Sequence, residues 1–280
     1  MALLSDSWQL AKQTVLSFIE DDALTRGAAV AFYTATSLAP VLLIVIAVAG
    51  LVFGREAAQH AITAQLGGLM GQQTGALLDT AIKQGGSKSS DILATVIGIV
   101  TLIVTASGVF GEVQSALNVI WKAKPRGSTV SRLIRARAAS LGLVTVMGFL
   151  LMVSLAVSAG LTAFGNQLNA VLPFGKLIVT VINILISLAL ISFLFAAVFK
   201  VLPDRHLRWH DVITGAVATA VLFTIGKSLI GWYIGSSAVA SSYGGAGGLI
   251  VLLLWVYYSA QIFLLGAEFT KVYTAWNENG

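Results

Sequence analysis

The chain has 280 residues, 57% of them hydrophobic and only 10% charged, with a formal net charge of +5 and no cysteine. Ordinary soluble domains carry about 25% charged residues, so a water-soluble fold of this length is excluded: too few charges remain to solvate its surface. The missing cysteines exclude disulfides, thiol catalysis and thiolate metal sites, and the basic excess fits loops that face anionic lipid headgroups rather than nucleic acid.

In chain order, the first predicted element is an amphipathic helix over residues 5–20. Trp8, Ala11, Val15, Phe18 and Ile19 recur at helical spacing, with Lys12, Gln13 and Ser17 between them. It is too polar to cross a bilayer. It either lies along the inner interface or packs on the bundle as a short cytoplasmic helix. Asp6, Lys12, Glu20, Asp21 and Asp22 interrupt this region before any apolar run, unlike a cleaved signal peptide.

A helix crossing about 30 Å of hydrocarbon needs about 20 apolar residues. About six such runs follow, at residues 27–53, 92–109, 139–164, 177–198, 212–234 and 247–273. Pro40 in the first run frees a backbone carbonyl and is expected to kink that helix. The connection 54–91 carries one apolar stripe of Ala57, Ala58, Ile62 and Leu66 and a second of Leu77, Leu78, Ala81 and Ile82. Gly67, Gly68, Gly71 and Gly75 separate them. Two short amphipathic helices on the outer face are expected there, as a passive cap or as a cover over a cavity. The fold class is therefore all-α and integral to the membrane, a single transmembrane domain over residues 1–280.

Basic residues set the orientation. With the N-terminus inside, Lys12, Arg26, the cluster from Lys122 to Arg137, Lys200, Arg205, Arg208 and Lys271 are cytoplasmic. Only Arg55, Lys83, Lys88 and Lys176 then lie outside. Both termini are expected in the cytoplasm.

Ionisable residues inside the spans are the best lead to function, since each costs several kcal/mol unless paired or hydrated. Lys227 lies roughly 22 Å into the fifth span at 1.5 Å per residue, in its outer half. It is expected either to line a hydrated cavity, where Thr224 and Gly231 leave room, or to extend its stem to the outer interface. Gln261 in the sixth span is placed nearer mid-membrane, where an amide bonds across helices. Glu112 and Glu268 sit near cytoplasmic helix ends and are charge-pair candidates for Arg26, Arg135 or Arg137. Small residues four apart, such as Gly27 with Ala31, Gly215 with Thr219 and Ala216 with Ala220, allow close helix approach.

Signals of enzyme chemistry are scarce. His60 stands alone in the outer loop. His206 and His210 lie four apart between Asp204 and Asp211, a spacing compatible with a metal, but the segment reads better as an Arg-rich charged turn. Nucleophile elbow, phosphate-loop and zincin patterns are missing. No catalytic residue, metal or cofactor is expected.

Several motifs resemble a known family: Arg-Gly-Ala-Ala-Val-Ala-Phe-Tyr-Thr-Ala-Thr-Ser-Leu-Ala-Pro at 26–40, Ala-Leu-Asn-Val-Ile-Trp at 116–121, Leu-Pro-Asp at 202–204, Trp-His-Asp-Val-Ile-Thr-Gly-Ala at 209–216, and the long run from Tyr243 to Thr270. In that order they resemble the YihY/BrkB family of bacterial inner-membrane proteins, once labelled ribonuclease BN. Gly245 departs from the larger apolar residue expected there. The resemblance implies a six-helix inner-membrane fold and an association with envelope integrity and lipid or lipopolysaccharide movement. The ribonuclease label finds no clustered His and Asp ligands to support it. The expected function is that of a transporter or flippase-like protein for an amphipathic or lipidic substrate, with Lys227, Thr224, Gly231, Gln261, Pro40 and Tyr33 as cavity candidates. The alternative is a non-transporting scaffold or interaction protein. Expected partners are membrane lipids, through anionic headgroups at the cytoplasmic face, and no nucleic acid; a homo-oligomer stays open.

Overall fold

Apolar runs with no water to satisfy their backbone must close their hydrogen bonds internally, and here they do so as helices. A computed structural model of the chain describes residues 2–70, 79–80, 108–123, 175–205, 207–236 and 247–279, and all regular structure among them is helical. The helices are α1 (Ala2–Glu20), α2 (Ala23–Phe53), α3 (Arg55–Met70), α4 (residues 108–120), α5 (Gly175–Val201), α6 (Trp209–Ser236) and α7 (Gly247–Asn279). By length and composition, Val179–Val201, Trp209–Tyr233 and Gly247–Glu278 can each cross a membrane. α2 is 31 residues long and contains the first apolar run. The runs at 92–109 and 139–164 lie outside the described residues, except for 108–109. In the connection 54–91, α3 carries the first apolar stripe. The second, at 77–82, is outside them apart from residues 79–80.

The chain clusters into two compact units, each assembled from distant stretches: Met1–Thr14, Leu117–Thr224 and Gly266–Gly280 in one, Val15–Ala116 and Ile225–Leu265 in the other. The core of the second unit joins Ala31, Leu42 and Ile46 of α2 to Leu252 and Val256 of α7, flanked by Ile62 of α3 and by Trp255. Two junctions shape this unit. Asp22 sits in the left-handed region between α1 and α2, a place an Asp tolerates better than most residues. Thr25 Oγ1 donates to its carboxylate at 2.9 Å. Gly54, at φ 84°, separates α2 from α3 as a single residue. Its N–H donates to the Gly50 carbonyl and its carbonyl accepts from Ala58, so both helix ends are satisfied at one glycine.

In the first unit α6 and α7 interlock through glycine and threonine. A Cβ at Gly215 would overlap the Thr270 side chain, and one at Gly266 would overlap Thr219. Each Thr hydroxyl donates to the carbonyl of the glycine four residues earlier on its own helix, Thr219 to Gly215 and Thr270 to Gly266, both at 2.7 Å. The hydroxyl protons are thus spent internally, and the threonine side chains, Oγ1 and methyl together, lie against the glycine faces. That is the packing available where lipid supplies no hydrophobic drive. α4 ends in the same unit with Lys122 at φ 49°. Ala123 N–H donates to Asn118 O and Lys122 N–H to Val119 O, a Schellman closure built on a lysine instead of a glycine.

Candidate functional site: Lys227 and the polar contacts of the helices

Helix α6 has two faces. Val212, Ala216, Thr219, Ala220 and Ile230 are buried at steps of three and four, while Ile213, Val217, Val221, Ile225, Leu229 and Trp232 form an exposed apolar stripe. Lys227 follows Ala220 by seven residues and precedes Ile230 by three, so it continues the buried stripe. It is half-buried and makes no hydrogen bond or ion pair among the described residues. It lies roughly 27 Å along α6 from Trp209 at 1.5 Å per residue. Beside it, Gly226 packs against Ile262 of α7, whereas a Cβ added at Gly231 would meet nothing within 4 Å. The helix is thus packed next to Lys227, while Gly231, one turn later, is exposed beside Trp232. Thr224 Oγ1 donates to Ala220 O at 2.7 Å, so its hydroxyl serves its own backbone.

Gln261 bridges helices in the second unit. Its Nε2 donates to the Leu24 carbonyl in the first turn of α2 at 3.1 Å. A Cβ at Gly27 would overlap its amide, so the glycine is what admits the side chain. Its Oε1 is buried with no hydrogen-bond partner among the described residues. Gln261 thus stands level with the start of α2. α7 has 33 residues, about 50 Å of helix, and so exceeds the hydrocarbon thickness.

The other expected site residues are scattered. Arg26 Nε donates to the Asp21 carbonyl at 3.2 Å. Tyr33 is partly exposed, edge-on to Phe32, and its ring fills the space a Cβ at Gly108 would need. Pro40 lies within α2, which stays helical through it. One turn earlier, Thr36 and Ser37 hydroxyls donate to the carbonyls of Phe32, Tyr33 and Thr34. Glu112 is half-buried and makes no ion pair among the described residues. Glu268 is fully buried and accepts from Lys271 Nζ at 3.0 Å, one turn along the same helix. Arg135, Arg137 and His206 lie outside the described residues. His210 is exposed, with Nδ1 3.8 Å from Asp211 Oδ1.

A polar clasp in the first unit went unnoticed in the sequence. Asn118 Nδ2 donates to Asp204 Oδ2 at 2.9 Å, and Asp204 N–H donates back to Asn118 Oδ1 at 2.8 Å. Arg205 Nη1 donates to the Trp121 carbonyl at 3.1 Å. Trp121 meets Phe199 edge-on. Lys200 Nζ donates to the Leu207 carbonyl and lies 5.2 Å from the Trp209 ring centre. Arg208 bridges Asp211 at 3.1 Å and Glu278 at 2.7 Å. Three of the motifs that carried the family resemblance, at 116–121, 202–204 and 209–216, thus meet in one unit. Most of the charge in this segment is engaged with protein, which leaves little of it for a ligand.

Comparison with known proteins identifies the family. A UPF0761 membrane protein of Rhodospirillum centenum is 27% identical over 278 residues, 98% of this chain and 59% of the relative. One of Mannheimia succiniciproducens is 25% identical over 260 residues, 90% of this chain and 85% of the relative. One of Ralstonia nicotianae is 31% identical over 175 residues, 62% of this chain and 38% of the relative. The chain thus spans about three-fifths or less of the length of the Rhodospirillum and Ralstonia proteins. No solved structure matches it. The profile of the family described as virulence factor BrkB matches residues 14–279. With nearly its whole length under that profile, the chain belongs to the virulence factor BrkB family of membrane proteins.

Proposed function

We propose that the chain is a transporter or flippase-like protein of the bacterial inner membrane, with both termini cytoplasmic, that handles an anionic amphipathic substrate whose headgroup meets Lys227. The observation that carries this reading is the placement of that lysine. It lies on the buried stripe of a membrane-crossing helix, away from the stripe that faces lipid, and it has no protein partner among the described residues. An unpaired ammonium within a membrane-spanning helix costs up to about 3 kcal/mol, the value at the helix centre. Leucine or methionine would fill the same volume without that cost. A lysine there calls for water or an anion beside it, and the uncovered surface at the exposed Gly231, one turn away, is where either would approach.

The purified protein, reconstituted in phosphatidylethanolamine–phosphatidylglycerol vesicles with a trace of acyl-fluorescent phosphatidylglycerol, tests this. The expected result is faster transbilayer movement of the probe than in protein-free vesicles, lost in Lys227→Met and retained in Lys227→Arg. Equal rates with and without wild-type protein, or full activity in Lys227→Met, would overturn it.

A second reading, a non-transporting scaffold, is favoured by the α6–α7 seam, where Gly215 with Thr270 and Gly266 with Thr219 leave no room for a ligand. A scaffold would restore envelope integrity to a deletion strain while moving no lipid in vesicles.

A further inference from the structure

The structure gives α1 three sides. Thr14 and Asp21 are buried, and Leu10, Ser17 and Phe18 are half-buried on the same side. Gln9, Gln13 and Glu20 form an exposed polar strip. Between them runs a third, exposed strip: Trp8 at 71%, Val15 at 50%, Leu16 at 48% and Ile19 at 62%, with Lys12 in its midst. The sequence put Phe18 on one stripe with Trp8 and Ile19, but the fold turns Phe18 inward and leaves the others out. One side therefore packs on the protein, one is polar, and the third is apolar and exposed, with none of the described residues covering it.

We propose that α1 is an in-plane membrane anchor whose strip of Trp8, Val15, Leu16 and Ile19 is seated in interfacial lipid on the side of the N-terminus, with Lys12 reaching an anionic headgroup. Three observations favour lipid over a second copy of the chain. Lys12 stands inside the strip, and lysine is depleted from dry protein interfaces, whereas at a membrane its stem stays in the apolar layer and its ammonium rises to the phosphates. Trp8 belongs to the residue type that gathers at the bilayer–water boundary. The helix is joined by only Asp21 and Asp22 to α2, so its C-terminal end is held beside the start of a membrane-length apolar helix. The inference is independent of any role for Lys227.

The chain has no cysteine, so single thiols report one site each. In the full-length protein, Val15→Cys, Ile19→Cys, Gln9→Cys and Gln13→Cys are spin-labelled and reconstituted in phosphatidylethanolamine–phosphatidylglycerol vesicles. Collision with oxygen, which concentrates in lipid, is compared with collision with a water-soluble nickel chelate. The labels at 15 and 19 are expected to collide predominantly with oxygen, and those at 9 and 13 predominantly with nickel. Nickel dominance at all four sites overturns the proposal. So does low collision with both reagents at 15 and 19, accompanied by dipolar broadening between copies. If a label at Val15 or Ile19 prevents folding, Leu16→Cys on the same strip decides by the same comparison.

Discussion

Asn118 and Asp204 hold one another through two hydrogen bonds across 86 positions of sequence. The carboxylate receives a side-chain donor and the backbone N–H of Asp204 finds the amide oxygen, so both halves of the amide are used. Asn118→Ala removes both bonds and leaves a carboxylate and an N–H to find water. The expected loss is about 2 kcal/mol, read as a lowered midpoint of thermal unfolding in detergent. Asn118→Asp should lose more, since it sets two carboxylates against each other. In the sequence Asn118 stands out only as part of a motif, and Asp204 only as part of one and as a flank of the His206–His210 pair. Hydrophobic periodicity says which face of a helix is inward, but it is silent about which loop polar group meets which helix end. Lys227 is the opposite case. Its presence inside a span was legible from counting alone. Its place on the buried stripe required only the helical period and the burial of Ala220 and Ile230, while the open space at Gly231 needed coordinates.

Helices were the most legible level. Long apolar runs specify α5, α6 and α7 because backbone groups in lipid have few other solutions. Their partners were less legible. Gly215 and Thr219 were recognised as a close-packing pair, but the matching pair Gly266 and Thr270, at the same spacing in α7, was not. The two pairs interlock only because each threonine meets the other helix's glycine. Gly215→Ala should therefore destabilise the protein by about 1–3 kcal/mol through overpacking. Adding Thr270→Ala should recover part of that loss, because the clash is between those two side chains. A double-mutant cycle by thermal unfolding measures the coupling, and simple additivity would refute the contact. Gly54 is the other sensitive point. At φ 84° any side chain is strained, so Gly54→Ala should lower stability by about 1 kcal/mol. Helix ends were read less well than helix cores: α7 continues to Asn279, past the apolar run at 247–273.

For the whole molecule, family membership and an all-helical membrane fold rest on the profile match over residues 14–279, the helices themselves and the membrane-protein relatives. The positive-inside bias makes a further statement, that a reporter fused at residue 85 reads outside and one at residue 280 reads inside. A periplasmic C-terminus would reverse the depth assigned to Lys227 and move the anchor α1 to the other interface. Substrate class is the level at which sequence is weakest, because one lysine in a span is compatible with several anions.

The transport reading stands or falls on what surrounds that lysine, and this can be measured without knowing the substrate. Because the chain has no cysteine, Lys227→Cys carries a single thiol, and Leu229→Cys, on the exposed apolar stripe, provides a lipid-facing control. A membrane-impermeant methanethiosulfonate reagent is applied to the outer face of right-side-out vesicles and the rate of modification is followed. A water-filled opening on the buried stripe requires that Lys227→Cys react at least tenfold faster than Leu229→Cys, since a thiolate forms only where water can solvate it. If Lys227→Cys reacts no faster than Leu229→Cys, the lysine faces lipid or packed protein and the proposed substrate path does not exist.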